Sequence, residues 1–127
     1  MIQIQLQQLE HSLAAIEKEL NTLKQEQKYK VIFVCEEIIT NLSRHADFEK
    51  REPDVTLSYK HLKQYDLQLT FTDNSKEFNI LQYPDPEMSS DIESRSLGGL
   101  GIYLTKKYAK HIDYRYNNGY NILKVLL

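Results

Sequence analysis

Three polar side chains recur every fourth residue in a segment that is otherwise largely apolar. Glu37, Asn41 and His45 lie one helical turn apart, so a helix would place them on a single face. A carboxylate can accept a proton, an amide oxygen can bind a metal ion, and an imidazole can contact phosphate. The same spacing also arises when a helix packed into a core keeps one solvated stripe. Taken alone, the solvated stripe is the simpler interpretation.

A fourth polar side chain, Asp73, falls on the core-facing side of a strand. In the segment LQLTFTD, Leu67, Leu69 and Phe71 alternate with polar residues, and the same parity places Asp73 on the inward side. A carboxylate buried there needs a partner, because burying an unpaired charge is costly. Two interpretations remain open: Asp73 caps the turn that follows the strand, or it contacts a ligand.

Glycine is concentrated at one point of the chain. There are four glycines in all, and Gly98, Gly99 and Gly101 fall within four positions at the start of an expected helix. Glycine lets the backbone approach a ligand closely, and a helix start offers unpaired N–H groups and a positive dipole end to phosphate. An ordinary loop-to-helix junction is the alternative, but this concentration favours phosphate binding. The spacing matches neither G-x-G-x-x-G nor G-x-x-x-x-G-K-[ST], which excludes ordinary Rossmann and P-loop sites.

Length and composition limit what these groups can belong to. With 127 residues, 41% of them hydrophobic and 27% charged, the chain has the make-up of one globular domain, and we assign 1–127 to it. A net charge of −2 argues against a nucleic-acid-binding module built on bulk charge. The longest apolar run, 31–35, is too short to cross a bilayer, and no signal-peptide pattern is present, so we expect a cytoplasmic protein. One cysteine excludes an internal disulfide and a cysteine-rich metal site.

The apolar spacing predicts the elements that position these groups. Residues 1–6 fit either a short strand or the start of a helix, and an apolar stripe continues to residue 23, which indicates a core-facing helix rather than a coiled-coil seam. The further predicted elements are a helix at about 29–46, strands around 55–59 and 67–71, a long loop at 74–98, a helix at about 99–111 and a closing hairpin with its turn at Asn118-Gly119. This order indicates an α+β domain with helices over one face of a sheet.

Three of these segments together resemble the GHKL ATPase superfamily, and within it the anti-sigma-factor serine/threonine kinases of the RsbW type. Residues 35–46, CEEIITNLSRHA, resemble the N box of that family, a helix with E-x-x-x-N followed by H-A. Residues 72–78, TDNSKEF, are similar to the first glycine box, D-x-G-x-x-F, and residues 95–104, RSLGGLGIYL, to the second. The likeness extends from about residue 30 to the end of the sequence, and three boxes in register are more specific than any one.

The resemblance implies a role for each matching residue. Asn41 would ligate a Mg²⁺ ion that bridges the phosphates of ATP, and Glu37 would act as general base or orient the nucleophile. Asp73 would accept the exocyclic amine of adenine, and Arg95 would contact phosphate from an ATP lid at about 79–98. The other positions of the implied nucleotide site are Ser75, Phe78, Gly99, Leu100 and Gly101, and the two glycines among them would hinge the lid and bring backbone amides to the phosphates.

The resemblance also implies the fold and directs attention to one unusual position. The fold would be a two-layer sandwich, a mixed, mostly antiparallel sheet covered on one face by helices, with a strand within residues 1–6 and the first helix at about 8–23. His45 would pack against the helix or support the lid rather than catalyse. Ser75 stands where the first box has glycine, and its side chain could crowd the base or require a different backbone angle.

The activity implied is that of an ATP- and Mg²⁺-dependent serine/threonine protein kinase. It would phosphorylate a serine on an anti-anti-sigma protein of the STAS type and sequester a sigma factor, as a homodimer, without direct contact to nucleic acid or membrane. The alternative is a non-catalytic switch in which the nucleotide only orders the lid and selects partners. The catalytic half of a histidine kinase fits less well, since His11 lacks the proline-containing context of a phosphoacceptor. A chain that binds no nucleotide is the remaining alternative.

Overall fold

The chain folds into three α-helices and five strands, as seen in a computed structural model that describes residues 1–63, 66–82 and 97–127. In chain order the elements are β1 (Ile2–Ile4), α1 (Leu9–Glu19), α2 (Gln25–His45), β2 (Val55–Lys63), β3 (Asp66–Asp73), a 3₁₀ turn (Ile80–Gln82), α3 (Leu97–Tyr108), β4 (His111–Asn117) and β5 (Tyr120–Leu126). The first strand settles the ambiguity of residues 1–6. None of the helices in the described ranges is long and apolar enough to cross a membrane.

The strands form one sheet in the order β1-β2-β3-β5-β4, and each neighbouring pair is antiparallel. Two pairs, β2–β3 and β4–β5, are hairpins. Two helices separate β1 from β2, and these two strands also run in opposite directions. Between β3 and β4 the described residues contain the 3₁₀ turn and α3. Strand β4 forms the sheet edge, and β5 lies between β3 and β4. The α+β class is confirmed, and the sheet is antiparallel throughout rather than mixed.

Strand β3 lies at the centre of the sheet and shows the alternation from which its inward side is predicted. Leu67, Leu69, Phe71 and Asp73 are buried, and the residues between them are partly exposed. Full burial of a side chain such as Phe71 contributes about 1.5–3 kcal/mol. Asp73 is the last residue of the strand, so the core ends at its carboxylate.

Helices α1 and α2 cover the inward face of the sheet. Ile16 of α1, Leu20 directly after it and Val34 of α2 are buried in the same core, which confirms the core-facing interpretation of the first apolar stripe. Helix α2 begins at Gln25, four residues earlier than the expected 29, because glutamine, glutamate and lysine are good helix formers and can extend it. Phe33 of α2 packs edge to face on Tyr108 of α3, with 5.3 Å between ring centroids.

The last third of the chain differs from the prediction at both ends of α3, which begins at Leu97 rather than at about 99. Helix α3 ends at Tyr108, whereas His111, the expected end of the helix, opens β4 and pairs with Leu126. Pairing with β5 explains the early stop, since the Lys110 N–H already donates to the Leu126 carbonyl at 2.7 Å. The closing hairpin is confirmed, and its turn residues have the positive φ values, 52° and 82°, that a type I′ turn requires. Of the expected lid at 79–98, residues 83–96 lie outside the described residues.

Candidate functional site

A cavity of about 170 Å³ opens between the C-terminal half of α2 and the sheet, beyond the end of β3. Apolar side chains, among them Ile38 and Phe71, form part of its wall. Its polar lining comes from distant parts of the sequence and includes Asn41, Asp73, Ser75, Tyr114 and Asn121. This volume is below the roughly 300–1,000 Å³ of a typical ligand pocket, so it suits one ring of a larger ligand rather than a whole nucleotide.

One oxygen of the buried Asp73 carboxylate is held by three donors. Asp73 Oδ1 accepts hydrogen bonds from the Ser75 N–H at 3.1 Å, the Ser75 hydroxyl at 2.5 Å and the Asn121 side-chain amide at 3.0 Å. Bonds to an ionised carboxylate are roughly twice as strong as those between neutral groups, so this set compensates for burial. The other oxygen, Oδ2, accepts no hydrogen bond from any described residue. Oδ1 therefore caps the turn, and Oδ2 is left without a protein donor.

Ser75 takes part in this arrangement rather than disturbing it. Its side chain is buried, and its hydroxyl is one of the three donors to Asp73. Among the described residues the non-glycine positions with positive φ are Glu49, Lys50 and Asn118, so the backbone at Ser75 does not require glycine. The different backbone angle considered from the sequence is not found.

Asn121 of β5 is central to the site but absent from the site predicted from the sequence. Its Nδ2 donates to Asp73, and its Oδ1 accepts the Phe78 N–H at 3.0 Å and the Tyr114 hydroxyl at 2.5 Å. One side chain thus joins two strands to the segment that follows β3. A signal for it exists, because Asn121 has the same inward parity as Leu123 and Val125 and interrupts an apolar face, as Asp73 does.

Asn41 carries an unsatisfied oxygen on the wall of the cavity. Among the side-chain nitrogen and oxygen atoms of the described residues, Asn41 Oδ1 is the buried one that has no hydrogen-bond partner. Leaving a buried acceptor unpaired costs about 1–3 kcal/mol. An amide oxygen in this state suits a hard cation such as Mg²⁺, which often takes only one or two protein ligands. No cluster of three or more His, Cys, Asp or Glu that could hold a metal occurs within the described ranges.

Glu37 lies one turn before Asn41 on α2, and its side chain is half-buried against α3. Burial, and secondarily the charge of Glu36, raises the pKa of Glu37 above its ordinary value of 4.5, while Arg44 opposes the shift. The carboxylate touches the backbone of Gly101. His45, at the end of the same face, is exposed at the cavity.

The remaining predicted positions are placed less fully. Phe78 lines the cavity with its ring half exposed, and its N–H is held by Asn121. Gly99 and Leu100 lie in the first turn of α3, so the glycines are part of the helix rather than a loop ahead of it. Arg95 lies outside the described residues.

Comparisons with known proteins agree with this fold. The chain is 28% identical over 91 residues to the serine-protein kinase RsbW of Listeria innocua, an alignment that covers 68% of this chain and 57% of that kinase, less than two thirds of its length. It is similar in fold to the histidine kinase domain of the blue-light-activated histidine kinase EL346 of Erythrobacter litoralis, with a TM-score of 0.60 and 13% identity over 96% of this chain and 59% of that one. The family model of the histidine kinase-like ATPase domain matches residues 3–127. The resemblance to the GHKL superfamily is thus confirmed, and the chain belongs to the histidine kinase-like ATPase domain family.

Proposed function

We propose that this chain binds ATP with Mg²⁺ and transfers the γ-phosphoryl group to a serine of a partner protein. The observation that carries the proposal is the unpaired oxygen of Asn41, buried in the same cavity as the Asp73 carboxylate and one helical turn from Glu37. An acceptor kept without a partner is expensive for the protein. It is explained if the partner arrives with the ligand.

The base of the nucleotide would occupy the cavity. Asp73 Oδ2, which has no donor among the described residues, would accept the exocyclic amine of adenine, and Phe71 would contact the ring. Ser75 and Asn121 keep the carboxylate in place from its other oxygen. Phosphates would then extend toward the beginning of α3, where Gly99, Leu100 and Gly101 and a lid of about 79–98 with Arg95 would meet them.

The ion and the reaction need few protein groups. Asn41, together with the phosphates, would hold Mg²⁺, and the ion would neutralise charge on the phosphate oxygens. Glu37 accepts the proton of the serine hydroxyl while that oxygen bonds to the γ-phosphorus and the bond from phosphorus to the bridging oxygen breaks, releasing ADP. The raised pKa of Glu37 makes its carboxylate a stronger base for this step.

The similarity to a serine-protein kinase supports a choice of partners. We infer a phosphoacceptor of the anti-anti-sigma class, with a STAS-type fold, and a sigma factor as the second partner. We expect this binding to take place in the cytoplasm, with residues 1–127 acting as one domain and two copies of the chain forming a homodimer.

Thermal unfolding with and without Mg-ATP tests the shared premise of nucleotide binding. A ligand at a hundred times its Kd adds about 2.7 kcal/mol of stability, so the unfolding temperature of the wild type should rise. Asp73→Asn keeps the shape of the side chain but changes the acceptor, and its rise should be much smaller. An absent shift in the wild type, or equal shifts in both chains, would refute the proposal.

A second candidate, a non-catalytic switch, is favoured by one observation. Asn121 bonds both Asp73 and the Phe78 N–H, so occupancy of the cavity is coupled by one side chain to the beginning of the proposed lid. The two functions separate on Glu37→Ala, which abolishes transfer of labelled phosphate from a kinase but leaves a switch intact. Asn41→Ala should disable either one.

A further inference from the structure

Gly101 is the fifth residue of α3 and faces α2 at the position of Glu37. A Cβ built on Gly101 would overlap Glu37 Oε2 and would lie 2.5 Å from Glu37 Cδ and 3.2 Å from Glu37 Cγ. The carboxylate of Glu37 therefore occupies the space that a side chain at residue 101 would need. Every residue other than glycine carries a Cβ, so glycine alone leaves this space open.

The atoms that meet the added Cβ belong to the end of a flexible side chain and not to backbone. A larger residue at 101 would consequently be accommodated by rotation of Glu37 and not by separation of the two helices. Glycine is also, after proline, the least favourable residue inside a helix. Its presence in α3 is thus a cost to the helix that needs a compensating role.

The compensating role concerns the environment of the Glu37 carboxylate. The side chain is half-buried, and burial raises the pKa of its carboxyl. Rotation toward solvent would take the carboxylate out of this environment and away from the face it shares with Asn41. A general base must lie within hydrogen-bond reach of the proton that it accepts, so even a small displacement is costly.

We propose that Gly101 is a positioning residue for the general base. Because it has no side chain, it leaves the space in which the Glu37 carboxylate keeps its working position on α2. The proposal rests on the proposed function in that the reaction uses Glu37. It would replace the role that the family resemblance implies and that the proposed function above gives to Gly101, in which this glycine hinges the lid and brings its backbone to the phosphates. The two roles predict different defects for the same substitution.

A double-substitution cycle with Gly101→Ala and Glu37→Ala separates them. Phosphate released from Mg-ATP is measured, with water in place of the serine hydroxyl so that no partner protein is needed, together with the Kd of Mg-ATP. Gly101→Ala should slow release about 10²–10⁴-fold, the range for loss of a general base, and leave the Kd within about threefold of wild type. When Gly101→Ala is added to Glu37→Ala, the rate of phosphate release should not fall further, because the carboxylate through which Gly101 acts is already gone.

Two further chains make the comparison sharper. Glu37→Asp has a shorter side chain, so in the Gly101→Ala background it should be faster than Gly101→Ala alone. Glu26→Ala removes an exposed carboxylate in the first turn of α2, about three turns away from Glu37, and should combine additively with Gly101→Ala. A rise of tenfold or more in the Kd for Mg-ATP on Gly101→Ala would contradict the positioning role. A Glu37→Ala/Gly101→Ala chain that releases phosphate more slowly than Glu37→Ala would contradict it as well.

Failure of the proposed function is a different result. It would be a wild-type chain that binds no Mg-ATP or releases no phosphate. In that case unfolding without nucleotide still tests whether the Glu37 carboxylate occupies the space beside Gly101. Gly101→Ala should lower the unfolding equilibrium constant about fivefold in the Glu37→Ala chain, by helix propensity alone. In the wild type the gain should be clearly smaller, because Glu37 must move. Equal gains in stability in the two chains would show that the Glu37 carboxylate does not occupy the space beside Gly101.

Discussion

The side-chain amide of Asn121 donates a hydrogen bond of 3.0 Å to Asp73 Oδ1, and the two residues stand directly opposite each other in the β3–β5 register. The polar pair lies on the inward face of neighbouring strands, where the core gives way to the cavity. Asn121 also accepts the Phe78 N–H, which ties the segment after β3 to the same point. A buried carboxylate can be kept here because its donors are part of the sheet itself.

Replacing Asn121 should therefore destabilise the protein strongly. Asn121→Leu has a similar size but removes the donor to Asp73 and the acceptor of two further groups, and we expect a loss of about 3 kcal/mol in the free energy of unfolding. Urea denaturation at neutral pH measures it. Asn117→Leu, at an exposed position on β4, is the matched control and should change stability by no more than about 0.5 kcal/mol. Equal losses would mean that the Asn121 contacts do not contribute to stability.

Ser75 should behave as a structural donor even though the family pattern has glycine there. Ser75→Ala removes the hydroxyl bond to Asp73, and a bond to a charged group is worth about 1.5–3 kcal/mol. Ser75→Gly should lose the same bond and a further 0.5–1 kcal/mol, roughly, from the freedom of the unfolded backbone. The measurement is urea denaturation of both variants beside the wild type. A Ser75→Gly chain more stable than the wild type would contradict the role of the hydroxyl.

Much of this site follows from local rules applied to the sequence. The inward parity of Asp73 requires only the alternation of Leu67, Leu69 and Phe71, and the structure agrees. The spacing of Glu37 and Asn41 requires only a helix, which α2 provides. The same parity rule applied to β5 points to Asn121, whose partner Asp73 lies 48 positions away and cannot be identified from the strand alone.

Other relationships depend on how separate elements pack. The contact between Glu37 and Gly101 joins α2 to α3, and no spacing in the sequence encodes the distance between two helices. The hydroxyl of Ser75 reaches Asp73 only because of the shape of the turn after β3. The boundary between α3 and β4 was set by pairing with β5 rather than by helix propensity, which is why His111 belongs to a strand.

Stability should reveal the raised pKa of Glu37. A carboxyl whose pKa is higher in the folded than in the unfolded chain binds its proton more tightly when folded, so its contribution to stability is lost as the pH rises from about 4.5 through the folded pKa. Glu37→Gln cannot ionise and removes this loss. The free energy of unfolding of Glu37→Gln, minus that of the wild type, should therefore grow over that interval and then stay constant.

The causes of the shift provide the control. Burial is the first cause of the raised pKa and the charge of Glu36 the second. In a Glu36→Gln background, the stability difference between the chain with Gln at residue 37 and the chain with Glu37 should therefore still grow with pH, but by less. Urea denaturation at a series of pH values from 4 to 8 gives the curves. A difference between Glu37→Gln and wild type that is constant over the whole range would show that Glu37 titrates alike in the folded and unfolded chains.

The unpaired oxygen of Asn41 should make stability and ligand binding respond in opposite directions. Asn41→Leu replaces an amide, whose buried oxygen is unsatisfied, by an apolar group of similar size, so without nucleotide the protein should keep its stability or gain about 1 kcal/mol. With Mg-ATP the same variant should lose the thermal shift of the wild type, since the oxygen that would bind Mg²⁺ is gone. Most buried polar residues behave otherwise, because their removal breaks a bond that already exists.

Asn41→Asp distinguishes a metal ligand from a simple packing defect. It keeps an oxygen at the same place but buries a charge, so it should be less stable than wild type in EDTA and recover part of that loss when Mg²⁺ and ATP are added. Differential scanning calorimetry of wild type, Asn41→Leu and Asn41→Asp under both conditions measures the effect. A loss of more than about 1 kcal/mol for Asn41→Leu in EDTA would mean that Asn41 has a structural partner after all. A full Mg-ATP shift in that variant would remove Asn41 from the site.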